Sequence, residues 1–394
     1  MVHSLRVLAE AIHDRKRVGG LTHHYYRYPA RFSPVFARAV IETFTSPGDI
    51  VIDPFVGGGT TLVEASALGR HSIGVDINSL AVFVSRVKTT LLTKRDCETL
   101  LSWKEEIIPT LLLNAKFEPE TRVSQDHTAH YTLNLHTPET WRLRQLIQIA
   151  LGKLELLSSQ PQQDFARCAL LRTAQWALDC RRSLPSLDEF RRKLACYMEE
   201  MIKGNRDLMQ TYMRNARTWR RHLAKCLNRD TVGLENDPEI ASLSEPKLIL
   251  TSPPYPGVHV LYHRWQIMSR RETPAPYWIT RCSDSKGASF YNFGDRFEKN
   301  LSTYYWRTKL AFQSVSRIAG RSTLIVQLVA FSDPEWQLSR YLDVMSECGL
   351  REVKFSEIAN APDGRIWRTV PNRKWYASPK SATGCEVVLF HVLA

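Results

Sequence analysis

Residues 51–61 read VIDPFVGGGTT, and residues 251–255 read TSPPY. The first is a short apolar strand that enters a run of glycines and then a segment with helical spacing. The second is an apolar strand stopped by two prolines, which lack backbone donors and hold φ fixed. Gly57, Gly58 and Gly59 permit positive φ and let a ligand approach the bare backbone. The helix that starts near Thr60 would offer unpaired N–H groups to a carboxylate or phosphate. No Gly-Lys-Ser/Thr follows, so the turn is not a phosphate-cradling P-loop. The next strand, in SIGVD at 72–76, ends in Asp76, the place from which an acid accepts both hydroxyls of a ribose, roughly twenty residues past the turn. The question is whether two stretches so far apart in the chain build one site.

Working outward, strand, turn and helix alternate from 48 to 92, with a helix in LAVFVSRVKTTLL after the second strand. Such alternation argues for an α/β fold with a parallel sheet. From 93 to 229 the strand signal gives way to helical periodicity in TWRLRQLIQIALGKLELL, DFARCALLRTAQWALD, SLDEFRRKLACYMEEMIKG and RDLMQTYMRNARTWRRHLAKCL. Strands resume at TVGLE, KLILTS, STLIVQLVAF, LREVKFSE and CEVVLFHV. The expected organisation is therefore residues 1–92 as a cofactor half, 93–229 as a helical insertion and 230–394 as the remainder of one catalytic domain, with about seven strands in a mostly parallel sheet. In such a sheet the first and fourth strands lie side by side and ligands sit at their carboxyl ends, which would bring the two stretches together.

The net charge of +13 points to a polyanionic partner, nucleic acid before a membrane surface. The eight cysteines lack zinc-knuckle spacing and read as reduced, mostly buried thiols, and no metal is expected. The first twenty residues lack the apolar core of a signal peptide, and the longest apolar runs are strand-length, so the expected location is the cytoplasm with no membrane span.

DPFVGGGTT followed by GVDIN and later by TSPPY resembles the S-adenosylmethionine-dependent DNA amino-methyltransferases. HYYRYPARFSP resembles a further cofactor segment of that family, and the likeness spans roughly 22–92 and 230–394. The resemblance implies a class I, Rossmann-like methyltransferase fold. It implies that Asp53, Phe55, Gly57 and Gly59 shape the pocket for the methionine part of S-adenosyl-L-methionine, with Thr60 and Thr61 near its carboxylate and Asp76 on the ribose. Asp237 would approach the adenine amino group, although capping a helix at PEIASL accounts for it equally well. Tyr28, Pro29 and Phe32 would line the methionine side, a pattern that packed core aromatics also fit.

The exocyclic amine of a base is a poor nucleophile because its lone pair is delocalised into the ring. Two acceptors aimed at its two N–H bonds would draw the nitrogen toward tetrahedral geometry. In the family these are the first side chain of the proline motif and a carbonyl within it, here Ser252 and the carbonyl of Pro253, with Pro254 adding rigidity. Tyr255 would stack on a base flipped from the duplex, a task that asks for its ring and not its hydroxyl. Serine at the first position is associated with N4 of cytosine and aspartate with adenine. The resemblance thus implies a site-specific DNA methyltransferase acting on double-stranded DNA, paired with a cognate restriction endonuclease. An N6-adenine enzyme, an RNA amine methyltransferase and a non-catalytic nucleic-acid binder remain the alternatives.

For nucleic-acid contacts, 206–229 reads as a basic helix in which Arg214, Arg217, Arg220 and Arg221 form a stripe able to neutralise phosphates. A charged solvated face fits the same pattern. The aromatic, basic stretch at 257–300, with His263 and Arg264, reads as a target-recognition loop, and RIWRTVPNRKWY at 365–376, with Arg373 and Lys374, as a further backbone contact.

Overall fold

The computed structural model describes residues 2–14, 18–28, 33–113, 129–216, 223–256, 264–268, 271–283, 293–294, 301–371 and 382–394. Its centre is a sheet built from β1 (Ile50–Asp53), β2 (His71–Asp76), β3 (Ala224–Asn228), β4 (Leu248–Thr251), β7 (Leu324–Ala330), β8 (Leu350–Val353), β9 (Ile366–Pro371) and β10 (Ala382–Leu393). The order is β3-β2-β1-β4-β7-β10-β8, with β9 pairing β10 beside this path. Strands β3, β2, β1, β4 and β7 run parallel, whereas β10 runs antiparallel to β7, β8 and β9. This is the class I methyltransferase arrangement, a mostly parallel sheet with one reversed strand near an edge. A small hairpin of β5 (Trp265–Ile267) and β6 (Arg271–Thr273) lies apart from it.

Both faces of the sheet are covered, and the two-residue period of the strands shows it. Val51, Leu248 and Leu250 point into a core with α1 (Val2–Ile12) and α2 (Pro34–Phe44), while Ile52 and Ile249 point into a second core with α11 (Ser302–Ile318) and α12 (Pro334–Glu347). The Ser33 hydroxyl caps α2 by accepting from Val35 N–H at 3.2 Å, and Pro34 fills the first helical position.

Between β2 and β3 come α4 (Ser79–Thr89) and the helices α5 (Lys94–Ile107), α6 (Trp141–Lys153), α7 (Gln160–Leu178) and α8 (Leu187–Asn215). Capping boxes at Thr93/Asp96 and Ser186/Glu189 start α5 and α8. These helices do not fold around a core of their own. One continuous apolar cluster joins Leu100, Leu146, Leu170 and Leu194 to Phe83 of α4, to Tyr25 and Tyr28 before β1, and to Trp265 and Tyr277 late in the chain, the last in α10 (Ala275–Thr280).

Three expectations are corrected here. The basic helix over 206–229 is not formed: α8 ends at Asn215, and residues 224–228 are the edge strand β3. Asn215 Nδ2 donates to Ala67 O at 3.0 Å, and Ala216 crosses Gly69 so closely that a Cβ on the glycine would lie 2.8 Å from its backbone. Register with β2 then overrides the helical preference of Ala, Lys and Leu. Accordingly TVGLE is not a strand but a turn and a short 3₁₀ segment at Leu234–Asn236. All eight cysteines are unpaired, but only Cys97, Cys168 and Cys348 are buried, so the expectation of mostly buried thiols does not hold. No helix among the described residues is long and apolar enough to cross a membrane, and among them no cluster of His, Cys, Asp and Glu could hold a metal ion.

Candidate active site

The two stretches meet through one buried carboxylate. Asp53 ends β1 and Thr251 ends the adjacent β4; the Thr251 hydroxyl donates to Asp53 Oδ1 at 2.7 Å. Thr61, in the first turn of α3 (Thr60–Ala67), donates to Asp53 Oδ2 at 2.7 Å, and Phe55 N–H donates to Oδ1 at 3.1 Å. Asp53 is 1% exposed, so it holds the strand ends together and does not face a ligand. Burial pushes its carboxyl up to about 6, against the opposing pull of those hydroxyls. Thr61 is likewise enclosed, its hydroxyl donating to Asp53.

Behind the glycine turn stands α4. Ser85 Oγ donates to Gly57 O at 3.1 Å, and the buried Lys88 Nζ donates to Gly58 O at 2.7 Å. These two bonds hold the turn's carbonyls against α4. Gly59 has φ +76°, and a Cβ there would sit 2.6 Å from Ser85 Oγ; Gly58 rests on Tyr28, whose Cβ lies 3.1 Å from where a glycine Cβ would be. Tyr28 therefore seals the turn on one side. Pro29 and Phe32 lie outside the described residues. Ser85 and Lys88 were not singled out from sequence; the signal available was a lysine on the apolar face of VFVSRVK.

Asp76 ends β2 and keeps partial exposure at the carboxyl edge of the sheet. Its Oδ2 accepts Gly57 N–H at 2.9 Å and Oδ1 accepts Asn78 N–H at 2.9 Å, which fixes the carboxylate against the turn while lone pairs remain for a ligand. Burial pushes it up to about 6, the two backbone donors opposing. Asp237 takes the helix-capping role: its side chain accepts Glu239 N–H at 3.0 Å, capping α9 (Pro238–Ala241), and pairs with Arg229 at 2.8 Å. Burial would raise its carboxyl, but Arg229 and Glu239 N–H outweigh that and hold it below the usual carboxylate range. The acid two residues past the carboxyl end of β3 is instead Asp230, which is exposed, and the neighbouring Arg229 N–H donates to Asp76 O at 3.1 Å. Misplacing β3 hid Asp230 from the sequence reading.

On the other side, Ser252 and Tyr255 are half-buried at the end of β4. Tyr304 Oη donates to the Pro254 carbonyl at 2.9 Å, whereas the Pro253 carbonyl accepts from no described residue. Phe293 bridges the two motifs, its ring 6.0 Å from that of Phe55 and 5.9 Å from that of Tyr304.

Of the residues expected to hold nucleic acid, Arg214 and Arg264 are among the described ones. Arg214 is exposed on the last turn of α8, and Arg264 pairs with Glu272 at 2.9 Å within the β5–β6 hairpin. Arg217, Arg220, Arg221, His263, Arg373 and Lys374 lie outside the described residues.

Residues 8–84 match the DNA methylase family of the N6/N4 type. The chain is 37% identical over 78 residues to the type II methyltransferase M.MjaII of Methanocaldococcus jannaschii, which covers 20% of this chain and 14% of that protein. It is 41% identical over 66 residues to the DNA adenine methyltransferase YhdJ of Escherichia coli, covering 17% and 22%. Each match spans about a fifth or less of the relative, and the family match at 8–84 includes the glycine turn and Asp76 but stops before TSPPY. Among solved structures, the rRNA methyltransferase aviRa of Streptomyces viridochromogenes aligns over 78% of either chain at 10% identity and a TM-score of 0.33, too slight a likeness to bear on function. Over residues 8–84, the half that holds the glycine turn, the chain is therefore similar to the DNA methylases of the N6/N4 type.

Proposed function

We propose that this protein transfers a methyl group from S-adenosylmethionine to the exocyclic amine of a base flipped out of double-stranded DNA, with N4 of cytosine as the target. The observation that carries the reading is the 2.7 Å contact from Thr251 to Asp53, which sets the proline motif beside the glycine turn at the carboxyl ends of adjacent strands.

S-adenosylmethionine is the donor that the family implies, and the residues here fit it. The turn of Gly57–Gly59 carries no side chains of its own, and Asp76 presents a partly exposed carboxylate suited to two hydroxyl donors. Asp230, exposed two residues past the end of β3, would take the adenine edge. When bound, the cofactor supplies an electrophilic methyl group on a sulfonium. The chain's own task is to prepare the amine. Ser252 Oγ and the Pro253 carbonyl accept its two N–H bonds, and Tyr255 stacks on the base plane. Because Pro254 O is engaged by Tyr304, the Pro253 carbonyl is the one left to the substrate.

Ser252 supports cytosine, and the resemblance to YhdJ supports the N6-adenine alternative. Arg214 and the basic residues outside the described segments would contact phosphates, and a cognate endonuclease in the same cytoplasm would be the functional partner. The test is transfer of labelled methyl groups from S-adenosylmethionine to duplex DNA and, in parallel, to structured RNA. Incorporation into the duplex is the expected result. Incorporation into RNA alone would move the substrate class, and no incorporation into either would overturn the reading.

A further inference from the structure

The hydrogen bonds that begin at Ser252 do not end at the tyrosine ring. Ser252 Oγ donates to Tyr255 Oη at 2.9 Å, and Tyr255 Oη donates to Glu386 Oε1 at 3.0 Å. Glu386 lies on the reversed strand β10, is 8% exposed, and its Oε2 receives Arg368 Nε from the neighbouring β9 at 2.6 Å. Arg368 is itself held by the Ile12 carbonyl at 3.3 Å. Nothing in a stacking role for Tyr255 calls for a buried carboxylate behind it.

An ionised carboxylate only accepts, so it imposes a direction on every hydroxyl ahead of it. Tyr255 must donate to Glu386, its oxygen then accepts from Ser252, and the proton of Ser252 is committed away from the substrate. What Ser252 presents to the outside is its lone pairs, as an amine with two N–H bonds requires. The arrangement is a polarised chain in a water-poor setting, where each bond strengthens the next. Burial, followed by the neighbouring Glu386 charge, pushes the Tyr255 phenol well above its ordinary range, so it remains a donor.

We propose that Glu386 is a positioning residue for methyl transfer, orienting Ser252 Oγ as an acceptor through Tyr255 and taking up the proton that the target amine loses. This rests on the amino-methyltransferase reading. As the nitrogen lone pair forms its bond to the methyl carbon, the carbon–sulfur bond breaks with its electrons left on sulfur, and the nitrogen holds one proton too many. That proton passes to Ser252 Oγ while the serine proton moves to Tyr255 Oη and the tyrosine proton to Glu386 Oε1. Water then removes it from Glu386. Every group between amine and carboxylate regains its starting state.

The experiment uses the full chain, the Y255F and E386Q variants and the double variant. Single-turnover transfer from labelled S-adenosylmethionine to the duplex that the parent methylates is measured beside calorimetric cofactor affinity and duplex affinity. Each single variant is expected to slow transfer roughly a hundredfold, the lower range for lost proton-transfer assistance, with both affinities unchanged. The double variant should be no slower than either single one, because the chain acts as a unit. Y255F leaves the Arg368–Glu386 pair intact, so it guards against a folding defect in E386Q. Parental rates in Y255F, or losses that multiply in the double variant, would overturn the relay while leaving the enzyme reading in place. A parent inactive on both DNA and RNA would overturn the two together.

Discussion

The Thr251 hydroxyl reaches across from β4 to the Asp53 carboxylate on β1 at 2.7 Å, and this one bond couples the strand that ends in the glycine turn to the strand that ends in Ser252. A buried acid with three donors aimed at it makes the strand-end geometry rigid. That rigidity is what allows residues nearly two hundred positions apart to share a site.

Removing one donor should therefore be costly. T251V leaves a buried carboxylate short of a partner, and a loss of about 1–3 kcal/mol of stability is expected in urea unfolding. Asp53 also gives the protein a pH signature. Its folded value of about 6 lies above the ordinary 3.8, so its contribution to stability is full below the unfolded value and lost as pH rises through about 6. D53N should flatten that part of the stability profile; an unchanged profile would show that another group titrates there.

Asp76 carries a different pH dependence, because its charged form is the better acceptor for ribose hydroxyls. With its carboxyl near 6, cofactor affinity should rise as pH climbs through that value and weaken below it. D76N should bind more weakly by roughly 1.5–3 kcal/mol, the worth of a hydrogen bond to a charged group, and lose the pH dependence. Calorimetry at two pH values on parent and variant decides it, and equal affinities would remove Asp76 from the cofactor site.

Gly59 cannot carry a side chain. At φ +76°, alanine would be strained by about 1–3 kcal/mol, and its Cβ would meet Ser85 Oγ at 2.6 Å. G59A should lose cofactor binding and melt earlier, whereas G152A, where a Cβ would meet nothing within 4 Å, should do neither. Parental binding in G59A would contradict the role given to the turn.

Arg214 is the described member of the basic group, exposed at the end of α8. If it contacts a phosphate, R214A should weaken binding to all duplexes alike and reduce the salt slope by about one charge. An unaltered slope would mark it as a solvated side chain.

Much of this was legible in the chain. The strands around 50, 73 and 249 are apolar on both faces and bounded by glycine or proline, so their pattern survives without any tertiary context. The third strand was not legible, because Ala224–Asn228 is a half-exposed edge whose residues favour helix, and only pairing with β2 makes it extended. With β3 unread, Asp230, two residues past its end, was not singled out either. Glu386 was hidden for another reason: it is contributed by a reversed strand at the far end of the chain, and nothing local marks it as a partner of Tyr255.

If Ser252 prepares a base amine for methylation, the nucleosides of the product reveal it. Duplex DNA incubated with the protein and isotopically labelled S-adenosylmethionine is digested and its nucleosides are resolved by mass spectrometry. Labelled N4-methylcytosine is expected, absent with S252A. Labelled N6-methyladenine would keep the amine chemistry and replace the base. Labelled 5-methylcytosine, or full activity in S252A, would contradict it, since neither ring-carbon methylation nor a dispensable Ser252 is compatible with two acceptors drawing an amine toward the methyl group.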